Sequence, residues 1–109
     1  MGSFAVGEVV LVAFPYADFS KFKKRPALVV GIAEFENLIL CQITSKAETS
    51  KTAVPLTDDD FALGCLSKDS FIRPDKIFTV EQSVIDRKIG RLQTFKMNQV
   101  KLRVRQLFA

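Results

Sequence analysis

The sequence predicts a mainly β fold, a small barrel of bent antiparallel strands that a single C-terminal helix closes. Short runs rich in Val, Ile, Leu and Phe, each bounded by turn formers, occupy the first half of the chain. No helical pattern separates these runs, which argues against a parallel sheet with crossover helices. Apolar residues at helical spacing occur only in the C-terminal segment of the chain. With 109 residues the chain has room for one domain, taken as 1–109.

The predicted strands follow one another with turn signals between them. Residues 8–14, 26–33 and 37–44 are predicted as buried strands: "EVVLVAF", "PALVVGIA" and "NLILCQIT". The short segment "FENL" suits a hairpin turn between the second and third strands. "KTAVPL" and "SFIRPDKIFTV" are predicted as further strands, and Pro74 in the latter favours an edge or a bend. "TDDDFALG" between them is predicted as a polar loop or a single helical turn.

The predicted helix lies in the segment "TFKMNQVKLRVRQLFA". At helical spacing its larger apolar residues fall on one arc, which predicts a face directed at the core: Met97, Val100, Val104, Leu107 and Phe108. Thr94 is a suitable N-cap. Gly90 and the basic pair before it interrupt the pattern and predict a break ahead of the helix.

Composition favours a folded protein and is compatible with an anionic partner without requiring one. Hydrophobic residues make up 48% of the chain and charged residues 26%, and the formal net charge is +4. The longest apolar runs fall far short of a membrane span. No secretory signal is visible, so the expected location is the cytoplasm, with no membrane partner.

The chain contains no histidine, which excludes Ser-His and Cys-His catalytic pairs and imidazole acid–base chemistry. A Cys-only metal site would need more thiols than Cys41 and Cys65 provide. No metal or cofactor is therefore expected. Both cysteines are predicted to be reduced core residues, with a disulfide between them left open as an alternative.

The loop "PYADFSKFKKR" mixes aromatic rings with cations. Rings that stack on bases, next to cations that bind phosphates, are typical of sites for single-stranded nucleic acid. A solvated loop with one or two rings tucked into the core is the alternative. The candidate substrate-binding residues here are Phe19, Lys21, Phe22, Lys23 and Lys24.

Arg25 differs from the lysines because it precedes Pro26, which restricts its backbone to an extended conformation. Its guanidinium can donate to two oxygens of one phosphate. Thr44 and Ser45 end the third predicted strand, and antiparallel pairing of residues 25–33 with 37–44 would bring Arg25 and Thr44 to the same end of the sheet. A strand-end turn motif is the alternative role for Thr44 and Ser45.

Arg73 and Asp75 flank Pro74, and on an extended segment their side chains would point the same way. They are either a surface ion pair of little energetic weight or a positioned base with its charge partner.

The segments "GEVVLVAFPYADFSKFKKRPALVV", "CQITS" and "DSFIRPDKIFTVEQSVIDRKIGRL" together resemble the MazF/PemK toxin family, in particular its PemK-like growth inhibitors. The resemblance covers most of the chain, in the right order and spacing. It implies an SH3-like barrel of the CcdB/MazF type, a homodimer and a cognate antitoxin. It also implies a sequence-specific, metal-independent endoribonuclease that cleaves single-stranded mRNA and halts growth.

The resemblance also implies roles for particular residues. The family's catalytic arginine and threonine fall on Arg25 and Thr44, and the Arg-x-Asp pair of the PemK subgroup falls on Arg73 and Asp75. We expect attack by the substrate's 2′-OH to give a 2′,3′-cyclic phosphate, with Asp75 as candidate base, Arg73 as a second phosphate contact and Ser45 assisting Thr44. Ala13 stands where the family often has an acid. A gyrase poison like CcdB and an inactive SH3-like binding module remain alternatives.

Overall fold

A computed structural model describes residues 4–15, 22–46 and 51–109. Seven strands and one α-helix make up the fold in those ranges: β1 (Glu8–Pro15), β2 (Phe22–Ile32), β3 (Leu38–Thr44), β4 (Val54–Leu56), β5 (Phe61–Gly64), β6 (Ser70–Val80), β7 (Ile85–Leu92) and α1 (Thr94–Gln106). Single 3-10 turns at residues 34–36, 58–60 and 82–84 join some of them.

The seven strands form one antiparallel sheet in the order β4-β6-β3-β2-β1-β7-β5, which curls into a half-barrel. The β2–β3 connection is the tight hairpin that the sequence predicted, with Ile32 opposite Leu38. The prediction of a mainly β fold with bent antiparallel strands and a terminal helix is confirmed. No helix in the described ranges combines the length and the apolar character that a membrane crossing needs.

Apolar residues are buried on both faces of the sheet. On β2, Leu28 packs in a cluster that includes Met97 and Val100 of α1, whereas Ala27 and Val29 pack in a second cluster on the opposite face. Successive side chains of a strand alternate between faces, so a strand buried on both sides is apolar at consecutive positions. This explains the unbroken apolar run in β2.

A buried ion pair attaches α1 to the rest of the fold. Lys96 donates from Nζ to the backbone oxygen of Pro55 at 3.0 Å, and the same nitrogen lies 3.5 Å from Oδ1 of Asp60. The other carboxylate oxygen of Asp60 accepts a hydrogen bond from the backbone N–H of Thr57 at 2.8 Å. These contacts offset the desolvation cost of burying Lys96 and Asp60, because each charged group has a hydrogen-bond partner.

The bend predicted at Pro74 appears as a break in strand pairing. Along β3, Gln42 lies opposite Arg73 and the preceding Cys41 lies opposite Ile77, so residues 74–76 of β6 are left outside the ladder. The strand itself continues through the irregularity from residue 70 to residue 80. Proline cannot donate to a ladder, which makes this the natural place for a bulge.

The sequence-based strand prediction missed β5 and β7. "IDRKIGRL" in β7 carries charged residues on its exposed side, and from the sequence its Gly90 predicts a break rather than a strand. The glycine instead permits close approach of β5, because a Cβ at Gly90 would lie 2.7 Å from the backbone oxygen of Leu63. Across from it, Gly64 has φ +77°, and a Cβ there would meet the backbone oxygen of Ile89 at 2.2 Å.

Other predictions need correction at the residue level. The residue at the N-cap of α1 is Gln93, not Thr94. Phe108 lies beyond the helix and is 78% exposed, since the helix ends before its predicted face reaches it. Cys41 is buried as predicted, but Cys65 is exposed, and both thiols are free.

Candidate functional site

Arg25 and Thr44 meet at one end of the sheet. Ala27 of β2 lies opposite Gln42 of β3, and the same register, continued by two residues, sets Arg25 opposite Thr44. Both residues line a groove of about 440 Å³ at this strand end. The predicted convergence of a guanidinium and a hydroxyl from sequence-distant positions is confirmed.

This groove, called the strand-end groove below, is lined by basic, hydroxyl-bearing and apolar residues. The basic residues are Lys24, Arg25 and Lys68, the hydroxyl residues are Thr44, Ser45, Ser67 and Ser70, and the apolar residues are Leu11, Pro26, Ile43 and Leu66. Cations and O–H donors are the groups that bind phosphate oxygens. The groove therefore has the chemistry of an anion site.

The hydroxyl of Thr44 is held by the turn that follows β3. Its Oγ1 accepts a hydrogen bond from the backbone N–H of Lys46 at 3.2 Å. An oxygen engaged as an acceptor in this way keeps its own proton available for donation. The turn motif considered as an alternative is therefore present, and it leaves the hydroxyl proton of Thr44 available for a further partner.

Lys68 reaches the groove from the segment between β5 and β6 and was missed by sequence reasoning. Ser70, which is buried, donates from its hydroxyl to the backbone oxygen of Lys68 at 3.0 Å and so fixes the turn. The sequence around it, "CLSKDS", is typical of an ordinary polar loop and contains no recognisable binding motif. Only the fold brings this loop to the ends of β2 and β3.

Arg73 and Asp75 form a bidentate ion pair. Nε of Arg73 donates to Oδ1 of Asp75 at 2.9 Å, and Nη2 donates to Oδ2 at 2.8 Å. These hydrogen bonds from Arg73 hold the pKa of the Asp75 carboxyl below its usual value. The side chain of Arg73 is 13% exposed and that of Asp75 is 34% exposed, so the arginine is the more enclosed partner.

A second groove, of about 320 Å³, adjoins the first. It is called the Gln42 groove below, and its lining residues are Arg25, Gln42, Lys76, Ile77 and Phe78. Arg25 thus lines both grooves. None of the other residues of this groove was singled out from the sequence, because neither the glutamine nor the apolar pair belongs to a recognisable motif.

Of the remaining predicted substrate-binding residues, some line the strand-end groove and others lie outside the described part of the chain. Phe19 and Lys21 lie outside the described residues, as do the side chains of Phe22 and Lys23 at the start of β2. Lys24 lines the strand-end groove, and its Nζ is 3.3 Å from Oδ2 of Asp86. Ser45 lines the same groove and is exposed.

Potential metal ligands do not cluster in the part of the chain that the structure describes: no three Asp, Glu or Cys side chains lie close enough to share an ion.

Comparison with known proteins gives a family match over almost the whole chain. The family model for the PemK-like, MazF-like toxin of type II toxin–antitoxin systems matches residues 5–108. The comparison with curated protein sequences found no match.

Solved structures of similar fold agree with that match. An endoribonuclease in complex with its cognate antitoxin from a mycobacterial species has a TM-score of 0.77 and 15% identity, covering 97% of this chain and 95% of that one. MazE–MazF (Form-II) from Deinococcus radiodurans has a TM-score of 0.75 and 21% identity, with coverages of 94% and 93%. The Mycobacterium tuberculosis toxin MazF-mt6 has a TM-score of 0.71 and 21% identity, with coverages of 93% and 95%.

Proposed function

The chain belongs to the PemK-like, MazF-like family of type II toxins, and we propose that it is a sequence-specific endoribonuclease that cleaves single-stranded mRNA and thereby inhibits translation and growth. The observation that carries this proposal is the strand-end groove, in which Arg25 and Thr44 face a common space with Lys24 and Lys68. An arginine, a hydroxyl donor and two further cations suit a polyanionic backbone.

The reaction we propose uses the substrate's own nucleophile. The 2′-oxygen attacks the adjacent phosphorus and loses its proton, while the bond from phosphorus to the 5′-oxygen breaks and that oxygen gains a proton. The products are a 2′,3′-cyclic phosphate and a 5′-OH end. Negative charge grows on the non-bridging oxygens, where Arg25 donates two hydrogen bonds and Thr44 one, with Ser45 beside it. Fixed donors of this kind contribute about 10²–10³ each in rate.

Asp75 is the candidate base that the family resemblance suggests, but its surroundings favour a different role. Both of its oxygens accept hydrogen bonds from Arg73, and its lowered pKa makes it a weaker proton acceptor than an ordinary carboxylate. We therefore propose that Asp75 is a positioning residue, which holds the guanidinium of Arg73 in one orientation. Arg73 would then serve as a second phosphate contact, as expected from the sequence.

We propose that the partners are single-stranded RNA, a cognate antitoxin and a second copy of this chain. Two of the similar structures, the mycobacterial endoribonuclease and MazE–MazF, are complexes with an antitoxin. The cations of the strand-end groove suit an acidic antitoxin segment as well as RNA, because carboxylates can take the place of phosphates. Among the residues that the structure describes, no observation favours a gyrase poison or an inactive module.

The test is cleavage of an end-labelled RNA of mixed sequence by the purified protein in EDTA. We expect cuts that leave cyclic phosphates and 5′-OH ends, since the mechanism needs no metal-activated water. Arg25→Ala should remove the cuts. Arg105→Ala, a matched change in the last turn of α1, should not. RNA left intact by the wild-type protein, together with binding to gyrase, would instead support the alternative of a gyrase poison.

A further inference from the structure

We propose that the Gln42 groove holds the nucleobase next to the scissile phosphate, and that Gln42 selects that base. This inference rests on the proposed function, because it assigns a specificity-determining residue to the same reaction. In this proposal the strand-end groove binds the phosphate and the adjoining Gln42 groove binds the base.

The position of Arg25 connects the two grooves. Arg25 lines the strand-end groove with Thr44 and also lines the Gln42 groove. A nucleotide whose phosphate is held by this guanidinium in the first groove therefore has the second groove directly beside it. A flexible single strand can turn one unstacked base into such a recess.

The lining of the Gln42 groove suits a base better than another phosphate. Ile77, which is 38% exposed, and the half-buried Phe78 give it apolar walls. The amide of Gln42 is the uncharged polar group of the lining, and Lys76 adds a further cation next to Arg25. At about 320 Å³ the groove is near the lower end of the range for ligand pockets and fits a single planar base.

Gln42 is placed to make hydrogen bonds with a ligand. Its backbone is paired on both sides, with Ala27 of β2 and Arg73 of β6, so the side chain projects from a rigid central strand. The residue is half-buried, and within residues 4–15, 22–46 and 51–109 no hydrogen bond involves its side-chain amide. Across β2 the neighbouring residue is Ala27, whose side chain is only a methyl group and offers the amide no hydrogen bond.

An amide can discriminate between bases because it presents one acceptor and two donors in a fixed plane. A base whose edge offers the matching donor and acceptor forms two hydrogen bonds, whereas a mismatched edge leaves a polar group unpaired in the groove. A bidentate contact of this type gives about 10- to 100-fold discrimination between bases. Apolar walls alone would hold all four bases with little preference.

The experiment is cleavage of an RNA library with random bases around the cut site, followed by sequencing of the products. Wild-type protein should show a preferred base at one position that adjoins the cut. Gln42→Leu, which keeps the side-chain size but removes the amide, should lower the rate for that base about 10- to 100-fold, so that the rates for the four bases converge. Preferences at other positions should remain. Gln106→Leu, the same substitution at an exposed position at the end of α1, should change neither rate nor preference.

Two results would overturn the assignment. One is an unchanged base preference in folded Gln42→Leu, and the other is a uniform fall in rate for all RNAs without a change in preference. If Gln42→Leu fails to fold, judged by its thermal transition, Gln42→Asn shortens the reach of the amide and should weaken the preference at the same position. Absence of cleavage by the wild-type protein would instead refute the proposed function itself.

Discussion

Replacement of Asp75 by asparagine separates a positioning role of this carboxylate from a role as general base. The substitution keeps one oxygen acceptor for Arg73, but it turns an NH₂ group toward the second N–H and removes the negative charge. One of the two hydrogen bonds, at 2.9 and 2.8 Å, is therefore lost. A hydrogen bond to a charged group contributes about 1.5–3 kcal/mol. Because Asp75 is 34% exposed and water can replace it, we expect a loss of about 1 kcal/mol.

The two roles predict different rates. If the whole of that loss appeared in the transition state, cleavage would slow about fivefold. Loss of a general base would slow it about 10²–10⁴-fold. Single-turnover cleavage of one RNA oligonucleotide measures the difference. In the background of Arg73→Met a positioning residue has nothing left to orient, so Asp75→Asn should then have no further effect on rate.

The pH dependence of thermal stability tests the Arg73–Asp75 ion pair independently of the cleavage rate. The folded-state pKa of Asp75 is lowered, so the pair stabilises the fold fully above the unfolded pKa of about 3.9 and loses that contribution as pH falls through the lower folded value. The difference in melting temperature between wild type and Asp75→Asn should be constant from about pH 5 to 8 and shrink below about pH 4. A rate loss of 100-fold or more that persists without Arg73 would refute the positioning role.

Three further predictions concern the groove and the thiols. Arg25→Lys should cleave RNA about 10²–10³-fold more slowly than wild type in a gel assay, since lysine keeps the charge but loses the fork of donors; full activity would contradict bidentate recognition. Burial, with a smaller effect of Asp75, raises the pKa of the Cys41 thiol to about 12, so iodoacetamide at pH 8 should label only Cys65 in the native protein; rapid labelling at both sites would refute the buried placement. If the antitoxin covers the strand-end groove, RNA oligonucleotide and antitoxin peptide should displace one another, and charge reversal at Lys24 or Lys68 should weaken both complexes. Simultaneous binding of both, with neither lowering the affinity of the other, would exclude a shared site in this groove.

Sequence reasoning succeeded where local pattern and pairing register carry the information. The apolar runs around Leu28 and Leu40 predicted β2 and β3, and their hairpin fixed the pairing that brings Arg25 to Thr44. The core-facing positions Met97 and Val100 of α1 follow from helical spacing. These features depend on residues close together in the chain.

Features that depend on distant segments were not predictable in this way. Lys68 enters the groove because β6 pairs with β3 and carries the preceding loop to the strand end, and nothing in its local sequence reports that pairing. Gln42 looks like an ordinary polar position of a half-buried strand. In β7 the exposed charged residues obscure the strand pattern, since Gly90 and Leu92 are the two buried residues of its eight.

The break in pairing at residues 74–76 allows the width of the Gln42 groove to vary independently of the core. On one side of the break, Ile72 is held between Ile43 and Val54, and on the other side Phe78 is held opposite Leu40. Insertion or deletion of a residue between these two anchored blocks would move Lys76 relative to Gln42 while leaving the ladders intact. Related chains could therefore acquire different base preferences through changes of length at this one point, without redesign of the barrel or of the position of Arg25.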